Sequence, residues 1–279
     1  MATTEELTRV ASQVRRDILR MVTSAACGHP GGSLSSTDIL TALFFSVMDH
    51  NPDTWKPTAE GQDAFLLSAG HLAPVLYSVL ARRGYFPVAE LATLRRLGSR
   101  LQGHPSSAEG LPGIILPSGS LGQGISAAAG IALAKRLSGD SHRVYVLCGD
   151  GECEEGQTWE AGMFAAHHGL DRLVAMTDLN GLQIDGSTES VTALGDLSGK
   201  WMAFGWDVIE ADGHDFESIL DAFGFAQKEN GKPKMILFHT VMGKGVDFME
   251  NDNKWHGSAP KPEQCELALS QLEETLGDY

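Results

Sequence analysis

The sequence predicts an α/β fold in which a doubly wound, mostly parallel sheet has helices on both faces. Short apolar, β-branched segments alternate along the chain with longer segments of helical periodicity. Residues 144–186 give the clearest case, with an apolar segment, an acidic glycine turn, a helical segment and a second apolar segment. Two parallel strands joined by a right-handed crossover fit this order. With 42% hydrophobic residues in 279, the chain can bury a full core.

Apolar periodicity and helix-capping residues assign the elements in chain order. Helices are predicted over residues 4–25, 36–48, 72–83, 88–97, 125–137, 159–168, 216–229 and 262–276, with Gly277 ending the last. Strands are predicted over residues 64–67, 144–148, 173–179, 206–210 and 234–241. In the 159–168 helix, Trp159, Met163 and Phe164 are expected to share the apolar face. The 125–137 helix is rich in Ala and Gly, which favours close packing in the core or against another subunit.

Composition excludes several classes of function. The chain has 21 Lys and Arg against 36 Asp and Glu, a net charge of −15, which disfavours nucleic acid or an anionic membrane as a partner. No apolar segment approaches the ~20 residues of a membrane span. Residues 1–21 form an amphipathic pattern with charges of both signs, unlike a signal peptide. The four cysteines lack CxxC spacing, so we expect a reducing, cytoplasmic setting.

Two neighbouring strands end in residues that suit a metal ion. Asp150 follows the first strand of the 144–186 unit and Asn180 follows the second. Ligands of open α/β sheets bind at the carboxyl ends of the strands. A carboxylate, an amide oxygen and a backbone carbonyl suit Mg²⁺ or Ca²⁺ holding a diphosphate. Taken alone, Gly-Asp-Gly and Asn-Gly are common turns, so the pair carries more weight than either part.

Together the two turns match the thiamine diphosphate signature, GDG followed some thirty residues later by Asn. On this evidence the chain resembles the N-terminal part of a transketolase. The resemblance implies a metal ion, Mg²⁺ or Ca²⁺, bound by Asp150, Asn180 and the carbonyl of Leu182. It also implies that Gly151 lets the backbone approach the diphosphate, since a side chain there would intrude.

Four histidines lie beside glycines in loops, in the segments GHPGG, LSAGH, GHP and HGS. Each alone also fits an ordinary loop or capping residue, but neutral histidines can accept and donate protons near about pH 7. The resemblance implies that His29 and His256 bind substrate and transfer protons, and that His256 also contacts the diphosphate. It implies that His71 contacts the cofactor and His104 a substrate hydroxyl. A zinc site is a weak alternative, because no pair has the spacing of a metal-binding helix.

A second glycine loop, residues 118–124, resembles the family loop beside the aminopyrimidine ring of the cofactor. This implies cofactor contacts from Gly119, Ser120 and Leu121. Proline is the more frequent family residue at position 120, so serine leaves the branch of the family open. Glu155 and Glu160 match acidic residues between paired active sites, and we expect Glu155 to contact cofactor. Both also fit a charged first turn facing the helix dipole.

The resemblance covers residues 1–279 as a single diphosphate-binding domain. The family's pyrimidine and C-terminal domains are absent and are expected on a partner chain, in an assembly of two copies of each subunit. The implied function is transfer of a two-carbon ketol unit from a ketose phosphate to an aldose phosphate. Three alternatives remain at this point: the α chain of a 2-oxo acid dehydrogenase, a synthase resembling deoxyxylulose phosphate synthase, and a non-catalytic diphosphate-binding subunit.

Overall fold

A five-stranded parallel sheet forms the centre of the molecule. The computed structural model describes residues 2–279. The strands are β1 (Ala64–Leu67), β2 (Val144–Gly149), β3 (Leu173–Leu179), β6 (Asp207–Asp212) and β7 (Lys234–His239). They lie in the order β1-β2-β3-β7-β6, and every neighbouring pair is parallel. A separate antiparallel hairpin consists of β4 (Leu182–Gln183) and β5 (Gly186–Ser187).

Helices cover both faces of this sheet, so the doubly wound α/β prediction is confirmed. The helices are α1 (Thr4–Ala25), α2 (Pro30–Ser35), α3 (Thr37–Ala42), α4 (Ala73–Arg82), α5 (Gln123–Ser138), α6 (Gly156–His167), α7 (Thr188–Thr192), α8 (Leu197–Ala203), α9 (Phe216–Ala226) and α10 (Pro262–Ser270). One layer contains α1, α3, α4, α9 and α10, and the other contains α5, α6 and α8. No helix in the described part of the chain is long and apolar enough to cross a membrane.

Alternate side chains of each strand enter the two helical layers. In β2, Tyr145 and Leu147 pack in the layer that contains α1, whereas Val144 and Val146 pack in the layer that contains α5. All four are at most 1% exposed. Burial on both faces explains why these strands read as continuous apolar segments instead of alternating ones.

The C-terminal helix is shorter than predicted. It ends at Ser270, not at Leu276 before Gly277. The guanidinium of Arg16 on α1 donates to the carbonyls of Leu269 and Leu272, at 2.9 and 2.8 Å. The Arg16 side chain thus takes the place of the backbone N–H groups that would bond these carbonyls in a longer helix. The residues after Ser270 form an irregular segment.

The predicted helix over 88–97 is also wrong beyond its first turns. A 3₁₀ helix covers Val88–Thr93, and the chain then reverses. Arg95 adopts a left-handed φ of 58°, and its N–H donates to the carbonyl of Leu101 at 2.8 Å. The 36–48 segment, by contrast, is helical as predicted, although its second half, Leu43–Val47, is a wider π turn.

The buried face of α6 differs from the predicted one. Small side chains such as Ala161 and Ala165 face the core, while Met163 is 53% exposed and Phe164 40% exposed. Only Trp159 of the predicted set packs inward, against Trp201 at 4.9 Å between ring centroids. The small residues are required because α5 lies close beside α6. Met163 and Phe164 therefore leave apolar surface exposed on α6, with Phe164 packing against the ring of His168 at 4.4 Å between centroids.

Candidate functional site

A cavity of about 580 Å³ lies at the carboxyl edge of the sheet. The loops after β1, β2 and β3 contribute to its lining, together with the start of α2 and the 3₁₀ turn Asn253–His256. The strand register pairs Gly149 with Asp178, which brings the ends of β2 and β3 level. Of the site residues predicted from the sequence, all except Ser120 and Glu160 line this cavity.

Asp150 lies at the floor of the cavity and is 3% exposed. Its Oδ1 accepts the N–H of Gly151 at 2.7 Å, and its Oδ2 accepts the N–H of Gly181 at 2.6 Å. Burial, and secondarily the charge of Asp178, raises the pKa of Asp150 to about 7. In the described part of the chain, backbone donors alone hold this carboxylate, so a cation would relieve an unfavourable burial.

Asn180 is oriented by a second buried acid, which the sequence analysis missed. Asn180 Nδ2 donates to Asp178 Oδ2 at 3.1 Å, and Asn180 Oδ1 accepts the N–H of Leu182 at 3.0 Å. Asp178 is 1% exposed and also accepts the hydroxyls of Ser35 and Ser36, at 2.5 and 3.0 Å. Burial raises the pKa of Asp178. The available signal was its position two residues before Asn180, on the same face of the strand.

These residues fit a divalent ion and a diphosphate. No group of three His, Cys, Asp or Glu side chains within residues 2–279 could hold a metal. Asp150, the amide oxygen of Asn180 and the carbonyl of Leu182 would offer a hard oxygen set, which suits Mg²⁺ or Ca²⁺. Gly151 lines the cavity, and a Cβ there would lie 2.9 Å from Oε1 at the flexible end of Gln183, which would have to move aside.

The four loop histidines converge on the same cavity. Ring centroids lie 5.3 Å apart for His29 and His71, 6.2 Å for His29 and His104, and 5.9 Å for His29 and His256. His71 and His256 stack at 5.0 Å. His29 precedes α2 as its N-cap, and His71 lies in the 3₁₀ turn after β1. Residues far apart in sequence thus form one cluster.

Burial keeps this cluster neutral. It lowers the pKa of His29 to about 4 and that of His71 to about 3, with smaller contributions from the neighbouring histidines. Burial also lowers the pKa of His256, and burial with the charge of Arg95 lowers that of His104. The Nδ1 atoms of His29 and His256 are buried without a hydrogen-bond partner among residues 2–279. At about pH 7 the rings are therefore neutral, and each has one nitrogen free to accept a hydrogen bond.

The glycine loop approaches the histidines through its backbone. Gly119 has a φ of 127°, and a Cβ there would lie 3.0 Å from the ring of His104. Gly119 and Leu121 line the cavity. The exposed side chain of Ser120 instead accepts a hydrogen bond from Gln123 Nε2 at 2.8 Å and lies outside the lining.

Four acidic residues follow Asp150 along the chain, and they differ in exposure and in whether they line the cavity. Glu155 is exposed and lines the cavity, as does the half-buried Glu154. Glu160 is exposed on α6 outside the lining. Glu152, which the sequence analysis did not single out, is 2% exposed. The other six histidines also lie outside the cavity lining: His50, His142, His167, His168, His214 and His239.

Comparison with known proteins gives one consistent answer. Residues 7–275 match the family model described as transketolase, thiamine diphosphate binding domain. The chain is 42% identical to a 6-deoxy-6-sulfo-D-fructose transketolase subunit from Clostridium sp. (strain MSTE9), over 96% of each chain. It is 40% identical to an apulose-4-phosphate transketolase subunit from Phocaeicola vulgatus, over 98% of this chain and 95% of the relative.

Solved structures show the same relationship in three dimensions. The transketolase from Leishmania mexicana superposes with a TM-score of 0.90 at 31% identity. All of this chain is covered, but it spans only 43% of the Leishmania chain. A family match over almost the whole sequence, together with this superposition, leads to one conclusion: the chain belongs to the transketolase family and corresponds to its thiamine diphosphate-binding domain.

Proposed function

We propose that this chain is one subunit of a split transketolase, which transfers a two-carbon ketol unit from a ketose to an aldose. The observation that carries the proposal is the single cavity in which four neutral histidines lie beside Asp150 and Asn180. A metal–diphosphate anchor and several proton acceptors in one cavity suit sugar chemistry, in which hydroxyl protons must move.

In this proposal the strand ends hold the cofactor, thiamine diphosphate. Asp150, Asn180 and the carbonyl of Leu182 bind Mg²⁺ or Ca²⁺, and the backbone at Gly151 borders the diphosphate. The remainder of the cofactor is surrounded by His71, His256, Glu155, the backbone of Ser120 and the loop residues Gly119 and Leu121. When bound, the cofactor supplies the electron sink that lets a carbon–carbon bond of the sugar break.

The histidines manage substrate protons. A ring nitrogen of His29 or His256 accepts the proton of the donor hydroxyl and returns it to the acceptor sugar. Their lowered pKa values leave both rings unprotonated at about pH 7, so each offers a free nitrogen, and contact with substrate must raise these pKa values for proton transfer to be efficient. His104, which is exposed at the rim, binds a substrate hydroxyl. The substrates we propose are sugar phosphates; two relatives are named for sulfofructose and apulose 4-phosphate.

A partner chain supplies the pyrimidine and C-terminal domains. Two relatives of similar length carry "subunit" in their names, whereas the Leishmania transketolase is more than twice as long. Leu137 on α5 is 78% exposed, and Met163 on α6 is 53% exposed, which suits a face covered by another chain. We propose closed two-fold symmetry, with two copies of each subunit, in the cytoplasm.

Reconstitution tests the function. The partner candidate is a neighbouring gene product with a thiamine pyrimidine-domain pattern. Mixed with this chain, thiamine diphosphate and Mg²⁺, it should give ketose-to-aldose transfer, and light scattering should show about twice the combined mass. Neither chain should be active by itself. Activity of this chain without the partner would refute the split assembly, and pyruvate decarboxylation by the mixture would favour a 2-oxo acid dehydrogenase.

Cofactor binding is tested separately by calorimetry on the reconstituted pair. Asp150→Ala and Asn180→Ala should each abolish Mg²⁺-dependent binding of thiamine diphosphate, because each removes a metal ligand. Unchanged affinity in both variants would contradict the assigned metal site.

A further inference from the structure

One buried carboxylate contacts three separate loops of the cavity. Glu152 Oε1 accepts hydrogen bonds from the Ser68 hydroxyl and from the Gly122 N–H, the latter at 2.8 Å. Its Oε2 accepts the N–H of Gly149 at 3.0 Å. Glu152 is 2% exposed, and burial raises its pKa. Both oxygens are therefore committed to protein donors.

Each of these loops carries a different part of the proposed cofactor site. Ser68 lies between β1 and the turn that holds His71. Gly122 is the N-cap of α5 and directly follows the loop 119–121. Gly149 ends β2 and precedes Asp150. The first two loops also meet at their backbones, since a Cβ on Gly70 would lie 2.6 Å from the Gly119 nitrogen.

Among residues 2–279, no cationic side chain pairs with this carboxylate to offset its burial. None of the ion pairs within residues 2–279 includes Glu152. An apolar side chain of similar size would fill the same space without desolvating a charge, but it could not accept the three hydrogen bonds. What a carboxylate provides at this position, and an apolar side chain would not, is therefore the set of hydrogen bonds that joins the three loops.

We propose that Glu152 is a positioning residue, which fixes the relative positions of the three cofactor loops before thiamine diphosphate binds. These relative positions are called the loop register below. Glu152 lines the cavity, but its side-chain hydrogen bonds go to Ser68, Gly122 and Gly149, through which we propose that it acts. This inference rests on the proposed function for the identity of the cofactor, but the loop register itself is a property of the chain alone.

The informative change is Glu152→Gln, which keeps the side-chain shape. An amide has one acceptor oxygen, so its NH₂ must face a backbone N–H at either Gly122 or Gly149. The matched control is Asp63→Asn. Asp63 is 9% exposed and accepts the N–H groups of Asp49 and Arg143, at 2.8 and 2.7 Å, but it lies before β1 at the opposite edge of the sheet.

Amide hydrogen exchange on the full chain without ligand reports the loop register directly. Glu152→Gln should accelerate exchange by about tenfold or more at whichever of Gly122 and Gly149 faces the amide NH₂, whereas Asp63→Asn should leave both amides within about twofold of wild type. Ser68→Ala, which removes one donor and keeps the carboxylate, should give a smaller increase at Gly122. It also serves as the test if the glutamine variant does not fold.

Calorimetry with thiamine diphosphate and Mg²⁺ on the pair reconstituted with the partner chain then measures the consequence for the site. Glu152→Gln should raise the Kd for thiamine diphosphate by about tenfold or more. Asp63→Asn should change this Kd by no more than about twofold, and the two variants are compared at similar melting temperatures. Unchanged exchange at both glycines, or equal Kd increases in the two variants, would overturn the positioning role. If the reconstituted pair containing the wild-type chain binds no thiamine diphosphate, the proposed function fails, and the exchange data still decide the relative positions of the loops.

Discussion

The buried carboxylate of Asp150 should make the stability of the metal-free chain depend on pH. Its pKa of about 7 in the folded state lies well above its value near 4 in an unfolded chain. The folded state therefore holds this proton more tightly. The resulting stability is fully present below about pH 4 and is lost as the pH rises through about 7.

The magnitude follows from the pKa difference. At roughly 1.4 kcal/mol per pKa unit, Asp150 alone should lower the unfolding free energy by about 4 kcal/mol across this range. The pKa values of Asp178 and Glu152 are raised in the same direction and add to the trend. Asp150→Asn should remove the contribution of Asp150 to the dependence of the unfolding free energy on pH. It should also cost about 1–3 kcal/mol at every pH, because the amide cannot accept both backbone N–H donors.

Urea denaturation at several pH values, with and without Mg²⁺, is the assay. Mg²⁺ competes with the proton, so it should stabilise the wild-type chain more at about pH 8 than at about pH 5. Asp150→Asn should lose this effect. Asp63→Asn, whose carboxylate is also buried with a raised pKa, should change the slope but retain the response to Mg²⁺. A wild-type stability that rises with pH, or a variant that still responds to Mg²⁺, would refute the reasoning.

Three further changes test other parts of the structure. His29→Ala in the reconstituted enzyme should lower turnover by roughly 10²–10⁴-fold at saturating cofactor, and a loss below about fivefold would favour a structural role. Gly119→Ala would place a methyl group 3.0 Å from the His104 ring and should weaken thiamine diphosphate binding in calorimetry, unlike the same change at an exposed helical glycine of α9. Arg82→Ala removes the partner of Asp17, which is fully buried, and should cost about 3–5 kcal/mol in urea denaturation; a loss under about 1 kcal/mol would contradict this.

The positions of Asp150 and Asn180 could be predicted because their signals are local. Each follows an apolar strand and begins a turn, and parallel strands place their carboxyl ends at one edge. The histidine cluster had no such local signal. His29 and His256 approach to 5.9 Å across almost the whole length of the chain, and the family resemblance alone suggested that they belong together.

Side chains that act through tertiary contacts were missed for the same reason. Glu152 reads locally as one of several acids in a charged turn, and nothing in its neighbourhood shows that Ser68 and Gly122 will lie beside it. Periodicity failed on α6 because it reports which residues share a face, not which face meets the core. The early end of α10 likewise depends on Arg16, a residue near the other end of the chain.

The strand order has a consequence for how the molecule folds. β6 pairs only with β7, and β7 must insert between β3 and β6, although it is the last strand of the sheet to be synthesised. Until residues 234–239 emerge from the ribosome, β3 has an open edge and β6 has no partner. Long-range parallel pairing of this kind is slow, and unpaired edges invite aggregation. We therefore expect folding to be limited by docking of β7, and chains interrupted before this strand to depend on chaperones.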